Sequence, residues 1–203
     1  MPKKKYEKLI EELKKSGAFS FKVVESKMGK NYAKLFIHNL LSKGEIIKLC
    51  KGWYSFKKSP YMILIPLGKA YVGLGSAAVI HGAWNQAVAL TVLSPYASSK
   101  IKAQERIVAG EKVLIRKISQ KMYFGYELFY LKEIDEWIRV SDPEKTLIDM
   151  IYFSYPFLDE ILPELKKKIN REKLKKYIQL MKKRKVKNAK VIENELKRVR
   201  VMT

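Results

Sequence analysis

The tightest constraint on this chain lies in its first 58 residues, where three short helical patterns run into two short β-prone segments. Tyr6, Leu9, Ile10 and Leu13 recur at the spacing of one helical face, and Gly17 stops that helix. Ser20 is placed to cap a second helix carrying Phe21, Val24 and Met28, and Gly29 supplies a sharp turn. Asn31 is expected to cap a third helix in which Ala33, Phe36 or Ile37, Leu40 and Leu41 face inward, with Gly44 at its end. Residues 46–49 and 53–56 then flank Cys50-Lys51-Gly52, a tight connection that a glycine permits. Three helices followed by a hairpin is the order of a winged helix-turn-helix, expected over residues 1–58.

That geometry carries a chemical expectation. A recognition helix presents its first turns to base edges and phosphates in the major groove. The outward positions are Lys30, Asn31, Tyr32, Lys34, Leu35 and His38. Asn31 can pair with adenine if capping does not consume it, and Lys30 and Lys34 can reach guanine or phosphate. Lys22 and Lys27 on the second helix are candidates for phosphate contact. Lys48 and Lys51 are candidates on the wing.

Charge agrees. The chain carries 42 Lys and Arg against 20 Asp and Glu, a net +22. Residues 1–58 hold 15 basic and 5 acidic side chains, residues 59–156 hold 11 and 9, and residues 157–203 hold 16 and 6. Two strongly basic ends around a nearly neutral middle attract polyanions, nucleic acid first among them. The single cysteine, Cys50, excludes an internal disulfide and a cysteine-based zinc site. Residues 61–84 are apolar, but Pro66, Lys69, His81 and four glycines interrupt them, which argues against a spanning helix. No apolar signal core follows the basic start, so a cytoplasmic protein with no membrane partner is expected.

Residues 59–203 read as a mixed α/β domain ending in basic helices, making the whole chain α+β. Residues 76–82 suggest a short helix capped by Ser76. Strands are expected over 88–93, 112–118, 121–130 and 136–140. At Ser141-Asp142-Pro143-Glu144 a helix begins, capped either by Asp142 with Pro143 first, or by Ser141 in a capping box with Glu144. Three further helices are expected over 157–168, 171–183 and 188–199. Asp142, Glu144 and Asp149 form a nominal carboxylate group, but capping accounts for the first two and Asp149 lacks an evident partner. Two histidines offer no histidine-rich metal site, and Gly68, Gly73 and Gly75 precede no phosphate-binding Lys-Ser/Thr. No catalytic set and no cofactor are expected. Lys182, Lys183, Arg184 and Lys185 mark a second candidate surface, for nucleic acid or for an antitoxin role.

Gly52-Trp53-Tyr54, the segment from Ser76-Ala77-Ala78 to His81-Gly82, and Asp142-Pro143-Glu144-Lys145-Thr146-Leu147-Ile148-Asp149 occur in this order. Together they resemble the AbiEi antitoxins of abortive-infection, type IV toxin–antitoxin systems, over roughly residues 5–200. The resemblance implies a winged helix that represses its own operon at inverted promoter repeats. It also implies a C-terminal domain that counters a nucleotidyltransferase-like toxin without a stable complex. Carried over by position, the DNA contacts are Lys30, Asn31, Lys34 and Lys51. The family's wing commonly holds arginines before its glycine, where this chain has Leu49-Cys50-Lys51. An RNA-binding or tRNA-associated module is the competing expectation, resting on the basic C-terminal helices.

Overall fold

The periodicity of the N-terminal residues produces helix α1 (Lys3–Lys15), which buries Leu9 and Leu13. The structure is a computed structural model describing residues 3–201. A two-residue strand, β1 (Phe19–Ser20), leads into α2 (Phe21–Met28), whose N-cap is Ser20 as expected; its Oγ accepts the Val23 N–H at 3.4 Å. Helix α3 (Lys30–Ser42) follows after one residue, Gly29, whose φ of 78° demands a glycine. Here the expected cap is corrected. The Gly29 carbonyl accepts the Ala33 N–H, so the helix starts at Lys30 and Asn31 lies in its first turn. Ala33, Ile37 and Leu40 form the buried stripe of α3, while Phe36 is half-buried and Leu41 exposed.

Strands β2 (Ile47–Cys50) and β3 (Trp53–Ser55) form the hairpin, with a bulge between Lys48 and Cys50 and Gly52 at φ 74°. β3 also pairs with β1. This three-stranded sheet beside three helices fits a winged helix-turn-helix.

The rest is built on a second sheet. A short helix, α4 (Leu64–Leu67), precedes β4 (Tyr71–Val72), α5 (Leu74–Ile80), β5 (Leu90–Ser94), β6 (Glu105–Val108), β7 (Glu111–Lys117), β8 (Tyr126–Leu131) and β9 (Glu136–Ser141). The strand order is β6-β7-β5-β4-β9-β8, parallel at β5–β7 and β4–β9 and antiparallel elsewhere. Helices α6 (Pro143–Tyr152), α7 (Leu158–Lys166), α8 (Arg171–Lys183) and α9 (Ala189–Arg198) cover one face. Strand alternation divides the core accordingly. Tyr71 and Leu93 pack with Leu147, Ile161, Leu174 and Leu196, whereas Val72, Val92, Val113 and Val140 pack with Met62, Ile63 and Leu67.

Several local expectations are corrected. α5 starts at Leu74, capped by Gly73, and Ser76 lies inside it; the Ser76 Oγ instead donates to the Ala89 carbonyl and accepts the Thr91 N–H. Residues 120–122 form a 3-10 turn, so β8 begins at Tyr126. Asp142 is the α6 cap, accepting the Lys145 N–H at 2.8 Å with Pro143 in the first helical position. No capping box with Ser141 forms, because Glu144 accepts the Asn170 N–H.

Asp149 has partners after all. It pairs with Lys145 one turn back and accepts the Tyr71 hydroxyl at 2.9 Å; the Lys145 Nζ also donates to that hydroxyl at 2.8 Å. All three side chains are fully buried. Burial lowers the Lys145 pKa and raises that of Asp149, each against the attraction of its partner. Asp142 continues the network on the α8 side, accepting the Tyr177 hydroxyl at 2.6 Å and meeting Lys173 at 3.1 Å.

The hairpin joins both parts of the molecule. Leu49 and Ala18 belong to the same apolar cluster as Met62 and Ile63, and Ile47, Cys50 and Trp53 pack against it. Lys57 donates to Glu136 at 2.8 Å and to the Asp135 carbonyl at 2.7 Å.

Candidate nucleic-acid interface

Lys30, Lys34 and His38 follow one another at four-residue steps along α3, which stacks them on one face. Asn31 lies beside them, and all four are exposed. Because Gly29 caps the helix, the Asn31 amide is not spent on the backbone. Leu35 is exposed between this face and the groove lined by Tyr32 and Phe36, to which it also contributes. Lys22 and Lys27 are exposed on α2, as are Lys48 and Lys51 on the hairpin. Among the described residues, none of these lysines is held in an ion pair.

Tyr32 is not brought to this face. At about 100° per residue it points roughly 160° around the helix from Lys34. Its ring lies 5.7 Å from that of Tyr6, lining a groove with Ile10 and Phe36.

The structure adds Arg106, which sequence reasoning missed. It comes from β6, more than fifty residues beyond the hairpin, and acts electrostatically on Cys50 together with Lys48. Its Nε is buried without a hydrogen-bond partner among the described residues. The hairpin therefore has an arginine from another strand beside it, where its own sequence has none. Burial raises the Cys50 thiol pKa and outweighs both cations, which leaves it a poor nucleophile at neutral pH. If Arg106 reaches a phosphate, Arg106→Ala should flatten the log–log salt dependence of duplex binding by about 0.9 units. An unchanged slope in a salt titration would assign Arg106 to the fold alone.

The second candidate surface is reshaped. Lys182 is engaged by Glu193 at 2.7 Å, which holds that carboxyl below its usual pKa. The Arg184 guanidinium donates to the Lys121 carbonyl at 3.2 Å and lies over Phe124; the Lys121 Nζ donates to the Lys185 carbonyl at 3.2 Å. Lys183, Arg184 and Lys185 remain exposed, and Lys121 joins them from a distant turn.

Among the described residues no three His, Cys, Asp or Glu side chains stand together where they could hold a metal ion. No helix there is long and apolar enough to cross a membrane. No family model matches the chain, and no curated protein matches it.

Proposed function

We propose that the protein is a sequence-specific DNA-binding repressor of its own promoter, reading duplex DNA with α3 and clasping the backbone with its basic hairpin. The observation that carries this reading is the unpaired row Lys30, Lys34 and His38 with Asn31 beside it, exposed on the third helix of a helix-turn-helix arrangement. Lysine ammonium groups there neutralise phosphates and release counterions, while an asparagine amide matches the adenine N6 and N7 edge. The net charge of +22 supplies long-range attraction to the duplex.

The resemblance of the Asp142 to Asp149 segment to AbiEi antitoxins supports a more particular proposal. The protein would be the cytoplasmic antitoxin of a type IV system, countering a nucleotidyltransferase-like toxin without a stable complex. Within the motif, Asp142, Lys145 and Asp149 are buried and bonded among themselves or to Tyr71 and Tyr177, so their part in that role would be to hold the fold.

A duplex from the chain's own promoter is expected to bind at least about a hundredfold more tightly than random duplex at equal salt. Equal affinities in a competition titration would refute the repressor. A second reading, RNA binding, is favoured by one feature: the basic turn of Lys183, Arg184, Lys185 and Lys121 lies outside the helix-turn-helix. It requires structured RNA to outcompete promoter duplex at matched salt.

A further inference from the structure

We infer that β8 is a self-association edge through which two copies of this chain join their six-stranded sheets about a two-fold axis at Leu128. β8 is the last strand of its sheet, so its outer N–H and C=O groups face no neighbouring strand. Natural edge strands are protected by brevity, prolines, bulges or clustered charge. β8 has none of these: it runs six residues in unbroken register with β9 and carries one charge, Glu127. Every residue from Tyr126 to Tyr130 is exposed, Leu128 at 61%, and Trp137 beside it on β9 is 63% exposed.

The sequence of the edge selects a second copy over another extended segment. In Tyr126-Glu127-Leu128-Phe129-Tyr130 the tyrosines stand symmetrically about Leu128, and Glu127 and Phe129 are the one mirrored pair that differs in type. Antiparallel pairing centred on Leu128 sets Leu128 against its own copy, Tyr126 against Tyr130, and Glu127 against Phe129. Aromatic and aliphatic cross-strand neighbours are favourable, and this register places no like charges opposite each other. Such a contact is isologous and closes on itself, which uses up the edge.

Electrostatics points to the same patch. Two molecules of charge +22 repel over most of their surface. The β8–β9 segment, residues 126–141, holds four acidic side chains (Glu127, Glu133, Asp135, Glu136) against two basic ones (Lys132, Arg139). This segment is net acidic, so it repels its own copy less than the strongly basic ends of the chain do. Salt should therefore strengthen association, the opposite of its effect on nucleic-acid binding.

The inference is independent of the DNA reading, because it is tested without nucleic acid. Full-length protein, stripped of nucleic acid, is measured by sedimentation equilibrium across a concentration series. The expected species has twice the 23.7 kDa chain mass. Leu128→Lys and Leu128→Glu should each weaken association about tenfold or more, by placing like charges face to face. Mixing the two should restore it, since lysine then meets glutamate; this recovery also shows that both variants are folded. Ile107→Lys, on the opposite sheet edge and equally exposed, should leave association unchanged. A wild-type monomer at every concentration, a Leu128→Lys dimer as tight as wild type, or folded variants that fail to recover on mixing would each overturn the proposal.

Discussion

Reversing two charges on α3, Lys30→Glu with Lys34→Glu, is expected to reduce promoter-duplex affinity at least about a hundredfold, a loss that fits within the usual specific-to-nonspecific gap of roughly a thousandfold or more. Two attractive phosphate or base contacts become repulsive, and the log–log salt slope should fall by about 1.8 if both lysines meet phosphates. Both side chains are exposed and unpaired, so thermal stability should hardly move. Affinity and melting temperature measured on one preparation separate lost recognition from lost fold. A double variant that still binds its promoter like wild type would remove α3 from the interface.

The largest stability effect is expected inside the α6 network. Asp149→Ala deletes the carboxylate that faces the buried Lys145 and Tyr71, stranding an ammonium with no counter-charge. Breaking a buried pair from one side costs about 3–5 kcal/mol. Replacing both members, Lys145→Met with Asp149→Leu, should recover most of that loss, because neither leftover charge remains to be desolvated. Urea unfolding of the single and double variants tests this. An Asp149→Ala cost below about 1 kcal/mol, the range of an exposed ion pair, would mean the pair is not sealed from water.

α1, α2 and α3 were legible because each has one apolar face and a glycine or cap at its end. Helices α7 to α9 were legible for the same reason, their buried residues recurring at helical spacing. β4 was not, because its two residues, Tyr71 and Val72, are buried on both faces and sit inside an unbroken apolar run without alternation. β6 was hidden for the opposite reason: Glu105, Arg106 and Ile107 on an edge strand leave little of its pattern inside. Lys145 and Asp149 stand four apart on one helix, yet only the approach of Tyr71 and the surrounding core turns them from a surface pair into a buried one. Arg106 beside the hairpin had no local signal at all, since strand pairing alone brings it there. Tyr32 shows the converse. Its position near the start of α3 suggested a base contact, but the rotation of the helix turns it toward Tyr6.

Leu49 and Trp53 seat the hairpin in the apolar layer beneath the large sheet, and Lys57 is fastened to Glu136, so the proposed reading helix is tied to the body through the hairpin rather than hung on a free linker. On the proposed reading, a duplex would have to come to the orientation this body holds, and a bend would be taken up by the DNA. Recognition would then depend on the flexibility of operator steps that no side chain touches, with stiff spacer sequences disfavoured even when every contacted base is correct.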